Sequence, residues 1–363
     1  MSPSEPTFAV IGGGIVGLSI GWRLAQLGWD VTIFEKSSLG GEASWAGAGM
    51  LSPGGEIEAP SRLAALAIES RQLFRGFVRE LEETTNLAID YHERGAIDVA
   101  YSTSALEALE QRADRQAELG IASKVVNASD VRTFWPRLRG QDLAGARFYP
   151  GDGAVNPREL VTALARACQM LNVSVHQNDP VQAAVVQDEG MYVTALSTTR
   201  RFEGAVICAG AWSGCIQVSG VPRLPASEPI KGQLIAYQQP LETCNTIVRH
   251  GHTYALQRAN GLLLVGASME RVGFDRRILP GTTEWLSSQA AFLFPHLAET
   301  SPSETWVGFR PSSDALQLGR WHSDRLYLAY GHFRNGILLA PVTAKYIADE
   351  VTASLGMPSR VRV

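Results

Sequence analysis

Residues Thr7–Lys36 read TFAVIGGGIVGLSIGWRLAQLGWDVTIFEK. Phe8 to Ile11 is an apolar run of strand length. Gly12, Gly14 and Gly17 form G-x-G-x-x-G, and Ile15 to Leu27 carries apolar residues at helical spacing until Gly28 stops it. A second β-type run, Val31 to Phe34, ends at Glu35, 23 residues after Gly12. The stretch is a complete βαβ unit. The three glycines serve separate ends, since Gly12 lets the chain leave the strand tightly, Gly14 lets backbone approach a pyrophosphate, and Gly17 lets the helix lie close to the sheet. The free N–H groups and positive dipole end of the helix suit the phosphates, and Glu35 stands where it can accept from a ribose hydroxyl. A glycine-rich turn alone is weak evidence of a ligand. Because the strand before it, the helix after it and the acid beyond all agree, the stretch predicts nucleotide binding.

At 363 residues the chain exceeds one ordinary core, and two domains with interleaved segments are expected. Its 45% hydrophobic and 19% charged residues are ordinary for a soluble protein, and a net charge of −4 supplies no basic face for nucleic acid. Glu5 and two prolines precede the first apolar run where a secretion signal would need cations, so that run is read as mature structure. No apolar run approaches the roughly 18 residues of a membrane span. The cysteines Cys168, Cys208, Cys215 and Cys244 show no C-x-x-C spacing and lie among apolar residues. Buried free thiols in a cytoplasmic protein are expected.

After Glu35, the small-residue loop Ser37 to Pro53 spaces Gly40, Gly41, Gly47 and Gly49 as a connection or as a lid over a ligand. Ser61 to Leu81 reads as an amphipathic helix and Gly95 to Ala100 as a strand. Ser104-x-x-Glu107 reads as a capping box that starts a helix running to Gly120. Asn156-Pro157-Arg158-Glu159 starts another, to about Leu171. A strand Val173–His176, a hairpin of Val181–Val186 with Met191–Ala195, and a buried strand Gly204–Cys208 follow. The last ends in Ala209-Gly210-Ala211, where glycine again suggests close approach to something bound. Three prolines between Val221 and Pro229 mark a boundary. Beyond it lie β-type runs at Gln233–Tyr237, Thr246–Val248, Thr253–Gln257 and Leu262–Gly266, and a helix from about Thr283 to Phe294. A strand Arg325–Tyr330, a turn Gly331 to Gly336 and a helix Ile337 to Val351 return the chain to α/β character.

Taken together these pieces resemble the D-amino-acid oxidase superfamily of flavoproteins, and within it the glycine oxidases. The matching segments are GGGIVG from Gly12, EASWAGAGML from Glu42, VICAGAWSG from Val206, TWVGFRP from Thr305 and, most specific, GHFRNGILLAP from Gly331 to Pro341. They span nearly the whole chain in the expected order. The resemblance implies an α/β (α+β two-domain) fold. A discontinuous Rossmann-like FAD-binding domain would take 1–85, 145–225 and 315–363, and a strand-rich substrate-binding domain on an antiparallel sheet would take 86–144 and 226–314.

The resemblance further implies non-covalent FAD, because relatives that tether flavin do so through a C-terminal cysteine and none follows Cys244. Its contacts would come from Gly12, Gly14, Ile15, Val16, Gly17, Glu35 and Lys36 in the first unit, and from Ser44, Gly49 and Met50 in the loop. Val181, Ala209, Gly210 and Trp212 would join them, as would Gly331, His332, Arg334, Asn335, Gly336 and Ile337 near the flavin pyrimidine ring. Reduced flavin carries negative charge there, which a helix N-terminus stabilises. Arg310 would bind the substrate carboxylate, Tyr254 would add a hydroxyl, Arg334 would lie at the pocket mouth, and Met50 and Met269 would line it.

Plainer readings stand beside these: Tyr254 as a strand aromatic, Arg334 paired with a surface acid, the methionines as core filler. Arg310, however, ends an apolar strand, and a buried arginine requires an anionic partner. After it the chain reads PSSDALQLG where relatives commonly carry a glycine and a proline, which bears on the loop and not on the arginine. His250 and His252 have no third ligand signalled nearby, so no metal is expected.

The activity implied is oxidation of glycine, sarcosine or small D-amino acids. Hydride passes to flavin N5, the imine is hydrolysed to the 2-oxo acid with ammonia or amine, and molecular oxygen is reduced to hydrogen peroxide. No catalytic acid or base is named. A homo-oligomer and a link to thiamin synthesis are implied in the same way. A sarcosine or D-amino-acid oxidase or dehydrogenase, and a flavin-binding protein without turnover, are the alternatives.

Overall fold

The computed structural model describes residues 6–241 and 246–358; Cys244 lies outside them. Two sheets organise the chain. The first has six strands in the order Gln317–Arg320, Leu326–Tyr330, Gly204–Ile207, Thr7–Ile11, Asp30–Phe34 and Ser174–His176, all parallel except the Gln317–Arg320 edge. Thr7–Ile11 is central, and its period of two serves both faces. Phe8 and Val10 join the core of the helices Ile15–Gln26, Arg62–Thr85, Pro157–Met170 and Gly336–Leu355. Ala9 and Ile11 meet the opposite core, built with the four-stranded sheet that contains the hairpin Val181–Gln187 and Gly190–Ala195.

The second sheet has eight strands, ordered Glu304–Ser312, Glu228–Gln238, Leu262–Gly266, Thr253–Gln257, Ile247–His250, Ala96–Ala100, Gly145–Tyr149 and Lys124–Val126. It is antiparallel apart from the Ile247–His250 and Ala96–Ala100 pair. One face packs under the helix Pro280–Leu293. The other packs against Ala46 and Ala48 of the small-residue loop, which is thus wedged between the two sheets. Only small residues fit there: a Cβ at Gly308 would strike Ala46.

Several sequence expectations shift. Gly145–Tyr149, grouped above with the nucleotide-binding segments, pairs with Ala96–Ala100 in the eight-stranded sheet, because its alternating Ala146 and Phe148 complete that core. The helix at Thr103–Ala117 is capped by Ser102, which accepts from Ala105 N at 3.2 Å; the cap lies two residues before Ser104. The last helix of the second body begins at Pro280, three residues before Thr283, since proline suits a first helical position. Cys168 and Cys208 are buried free thiols, whereas Cys215, the last residue of the short 3-10 helix Gly210–Cys215, is exposed. No helix among the described residues is long and apolar enough to cross a membrane.

Candidate active site and dinucleotide cavity

A cavity of about 350 Å3 runs between the two sheets. Its first end is the turn after Thr7–Ile11. Gly12 has φ of +119°, and a Cβ there would lie 2.5 Å from the Cys208 carbonyl oxygen. Gly17 abuts the Gly12 carbonyl so closely that no side chain fits, which explains its presence without any ligand; it does not line the cavity. Gly14, Ile15 and Val16 do. Among the described residues, the one atom near a Cβ added at Gly14 is Ser44 Oγ, at 3.3 Å, so that face is open for something else. Ser44 also accepts from Ile15 N at 2.9 Å, tying the small-residue loop to the helix start.

Glu35 is buried on the cavity wall and accepts from Gly13 N at 2.8 Å and from Ser37 N at 2.9 Å, so it braces the turn whether or not it also meets a ribose. Lys36 lies beside it, 4.0 Å from the Trp212 ring and paired with Glu42. Gly49, Val181, Ala209 and Gly210 complete this part of the wall.

A second helix opens into the same cavity. Gly336–Leu355 begins after Asn335, and Asn335, Gly336 and Ile337 line the wall. No N-cap side chain closes this helix or Ile15–Gln26, where Ser44 takes the Ile15 N–H alone, whereas Arg62–Thr85, Thr103–Ala117 and Pro157–Met170 are capped by Ser61, Ser102 and Asn156. Pro280–Leu293 also lacks a cap but opens on a proline, which has no N–H to satisfy. Orphan helix N–H groups require a partner, and two uncapped starts in one cavity suit a ligand with two anionic regions. A dinucleotide carrying a pyrophosphate and a reducible flavin is such a ligand, so these residues fit FAD. His332 beside them is buried, holds Thr343 Oγ1 at 3.0 Å, and has its pKa pushed down to about 4 by burial, which keeps it neutral. Gly331, at φ of +80°, shapes the turn from behind and does not line the wall.

The remaining end of the cavity is polar. Arg310, at the end of Glu304–Ser312, donates to the Ser268 carbonyl at 3.1 Å, its one hydrogen-bond partner among the described residues. Burial lowers its pKa, and burial likewise raises that of the adjacent Tyr254. Arg334 is exposed at the rim and donates to Glu56 Oε1 at 2.7 Å. Met50 lies on the cavity wall. Met269 does not: Ser268 and Glu270 on either side turn toward Gln233 and Lys231, so Met269 points outward and is 65% exposed.

Sequence reasoning missed Glu56. It sits on the single turn Pro53–Glu56, which is fastened by Gly54 N to Asp152 Oδ1 at 3.1 Å and by Gln116 Nε2 to the carbonyls of Gly54 and Ile57. Asp152 and Asp98 in turn grip the buried Arg249. Burial raises the Glu56 pKa, while Arg334, Arg249 and Arg310 pull it back. No motif signals a carboxylate that reaches a site through tertiary contacts. Arg258 was missed for the same reason: buried, it bonds the carbonyls of Val155 and Ala48 and holds the loop in place. Among the described residues no cluster of His, Cys, Asp or Glu could hold a metal ion.

Known proteins are similar in sequence and in fold. A glycine oxidase of Geobacillus kaustophilus is 32% identical over 348 residues, covering 94% of this chain and 92% of that protein. A bifunctional protein ThiO/ThiG of Synechocystis is also 32% identical over 94% of this chain, which spans 50% of it. The crystal structure of glycine oxidase from Geobacillus kaustophilus superposes with a TM-score of 0.90 at 31% identity, covering 96% of each chain. The sequence profile of the FAD dependent oxidoreductase (DAO) family matches residues 7–350, and the chain belongs to that family as a flavoprotein amino-acid oxidase similar to glycine oxidases.

Proposed function

We propose that this enzyme oxidises glycine and other small amines and amino acids, sarcosine and small D-amino acids among them, to the 2-oxo acid, ammonia or amine, and hydrogen peroxide. The observation that carries this reading is Arg310: a guanidinium withdrawn from water, bonded to a single carbonyl, and lining a cavity that also holds Tyr254 and an uncapped helix start. A desolvated guanidinium that Glu56 reaches only through space, with no ion pair of its own among the described residues, favours an anionic partner, and a substrate carboxylate supplies it. Bound FAD supplies the electron acceptor, N5 of its ring.

Arg310 would grip both carboxylate oxygens and so set direction as well as distance. Tyr254 would donate its hydroxyl, whose raised pKa keeps it protonated. The Arg334–Glu56 pair would narrow the entrance. No side chain has to take a proton from the α-carbon when the amine binds neutral. The test is peroxide formation and anaerobic flavin bleaching with glycine, sarcosine and D-alanine. Bleaching with peroxide supports the oxidase; bleaching without peroxide points to another electron acceptor; no bleaching with any of the three overturns the reading.

A further inference from the structure

The segment Ser268–Leu279 leaves the eight-stranded sheet and reaches the wall of the cofactor cavity. Both its ends are fastened to Glu228–Gln238. Lys231, wholly buried, donates through Nζ to Glu270 Oε2 at 2.9 Å and to the Arg277 carbonyl at 3.2 Å, and its backbone exchanges two hydrogen bonds with Glu270. Gln233 takes Ser268 Oγ on its N–H at 2.9 Å and accepts from Leu279 N at 3.3 Å.

The middle of the segment grips the wall from outside. Phe274 stacks on Trp212 with ring centroids 4.7 Å apart at 23°, and meets Phe309 edge-on at 5.5 Å. Arg276 donates to both oxygens of Glu42 at 2.6 Å, opposite Lys36 on the same carboxylate. Glu42, Trp212, Phe309 and Lys36 all line the cavity, whereas Phe274 and Arg276 do not. Phe274 is 40% exposed, so an aromatic ring is kept at the surface for this contact.

We propose that Ser268–Leu279 is a strap that sets the rate at which FAD leaves. For the cofactor to escape, the Trp212 and Glu42 wall must part from its neighbours, and the strap resists this through one aromatic stack and one forked ion pair. The strap root is rigid, since moving it would strip the buried Lys231 of its carboxylate. The surface ion pair is screened by salt, so release accelerates with ionic strength.

The test follows FAD release from the holoenzyme by the rise of flavin fluorescence on dilution. Phe274→Ala with Arg276→Ala is expected to release FAD about 10-fold faster, the combined effect of a lost stack and a lost exposed pair. Arg276→Ala alone should lose most of the acceleration seen in about 0.5 M NaCl. Phe274→Tyr keeps the ring and should release at the parental rate. The apoprotein melting temperature should fall by no more than a few degrees, because the side chains replaced lie outside the core. Release of the double variant at the parental rate, an unaltered salt response in Arg276→Ala, or an apoprotein melting temperature lowered by about 10 °C or more alongside the faster release would overturn the strap.

Discussion

The guanidinium of Arg310 occupies the space that a Cβ at Gly232 would need. The two residues lie on paired strands, with Ile230 opposite Arg310 and Gly232 opposite Gly308. Glycine weakens a strand interior, so its place here is explained by the side chain lying over it. Gly232→Ala should push the guanidinium aside while leaving FAD in place. The expected result is glycine affinity lower by about 10-fold or more, equivalent to about 1.4 kcal/mol, read from the substrate dependence of anaerobic flavin reduction. Unchanged affinity would mean that Arg310 does not hold the substrate from this position.

The open face of Gly14 leads to a second expectation. Since among the described residues a new Cβ there meets only Ser44 Oγ, Gly14→Val should fold with a parental circular dichroism spectrum and emerge without flavin. Parent protein should release all its FAD on acid precipitation. Flavin absorbance remaining in the pellet would show a covalent tether and end the non-covalent assignment, with the cavity-lining Cys208 and Cys215 the first residues to replace.

How far the sequence reaches is visible in these residues. The turn from Gly12 to Gly17 was legible because local steric rules fix it: each glycine answers to one close approach. The place of Arg310 on the cavity wall was legible through its motif, and that of Gly14 through its spacing. Gly232, Glu56 and Arg249 were not, since their meaning depends on partners about 80 to 280 residues away in the chain. Met269 shows the opposite failure. It shares a segment with Ser268, whose carbonyl meets Arg310, but alternation along that segment turns its side chain outward. The capping box at Ser104 failed because Ser102 offered the same chemistry two residues earlier.

Stability should respond to acid through His332. Burial holds its folded pKa near 4, below the ordinary value of about 6.5 in the unfolded chain, and His92 is shifted in the same direction. A histidine depressed on folding contributes stability that is present above the unfolded pKa and is lost as pH falls toward the folded one. The window therefore runs from about pH 6.5 down to about pH 4, with roughly 2 kcal/mol lost to His332 by pH 5. Urea unfolding of the FAD-saturated enzyme at several pH values measures it. His332→Gln should flatten the profile in that window; an identical slope in parent and variant would show that His332 titrates alike in both states.

The last expectation separates the two arginines of the pocket. Arg334 is exposed and already paired with Glu56, so its charge is largely answered. Arg310 is withdrawn from water and, among the described residues, hydrogen-bonded only to one carbonyl, with Glu56 acting on it through space, so a substrate carboxylate gains most there. A glycine-sized molecule has almost no apolar area to bury, and its position over the flavin must come from its polar ends. Removing one partner of a buried charge pair costs about 2–5 kcal/mol, roughly 30-fold to several thousand-fold in affinity. Arg310→Ala should show that loss with oxidised FAD still bound, and Arg334→Ala a much smaller one. Arg310→Lys keeps the charge but not the planar fork, so it should bind glycine weakly and also slow flavin reduction through a misplaced α-carbon. Rapid-mixing reduction traces give both quantities from one experiment. If Arg310→Ala retained near-native affinity while Arg334→Ala lost it, the carboxylate clamp would belong to Arg334, and Glu56 would have to release its partner each time substrate enters.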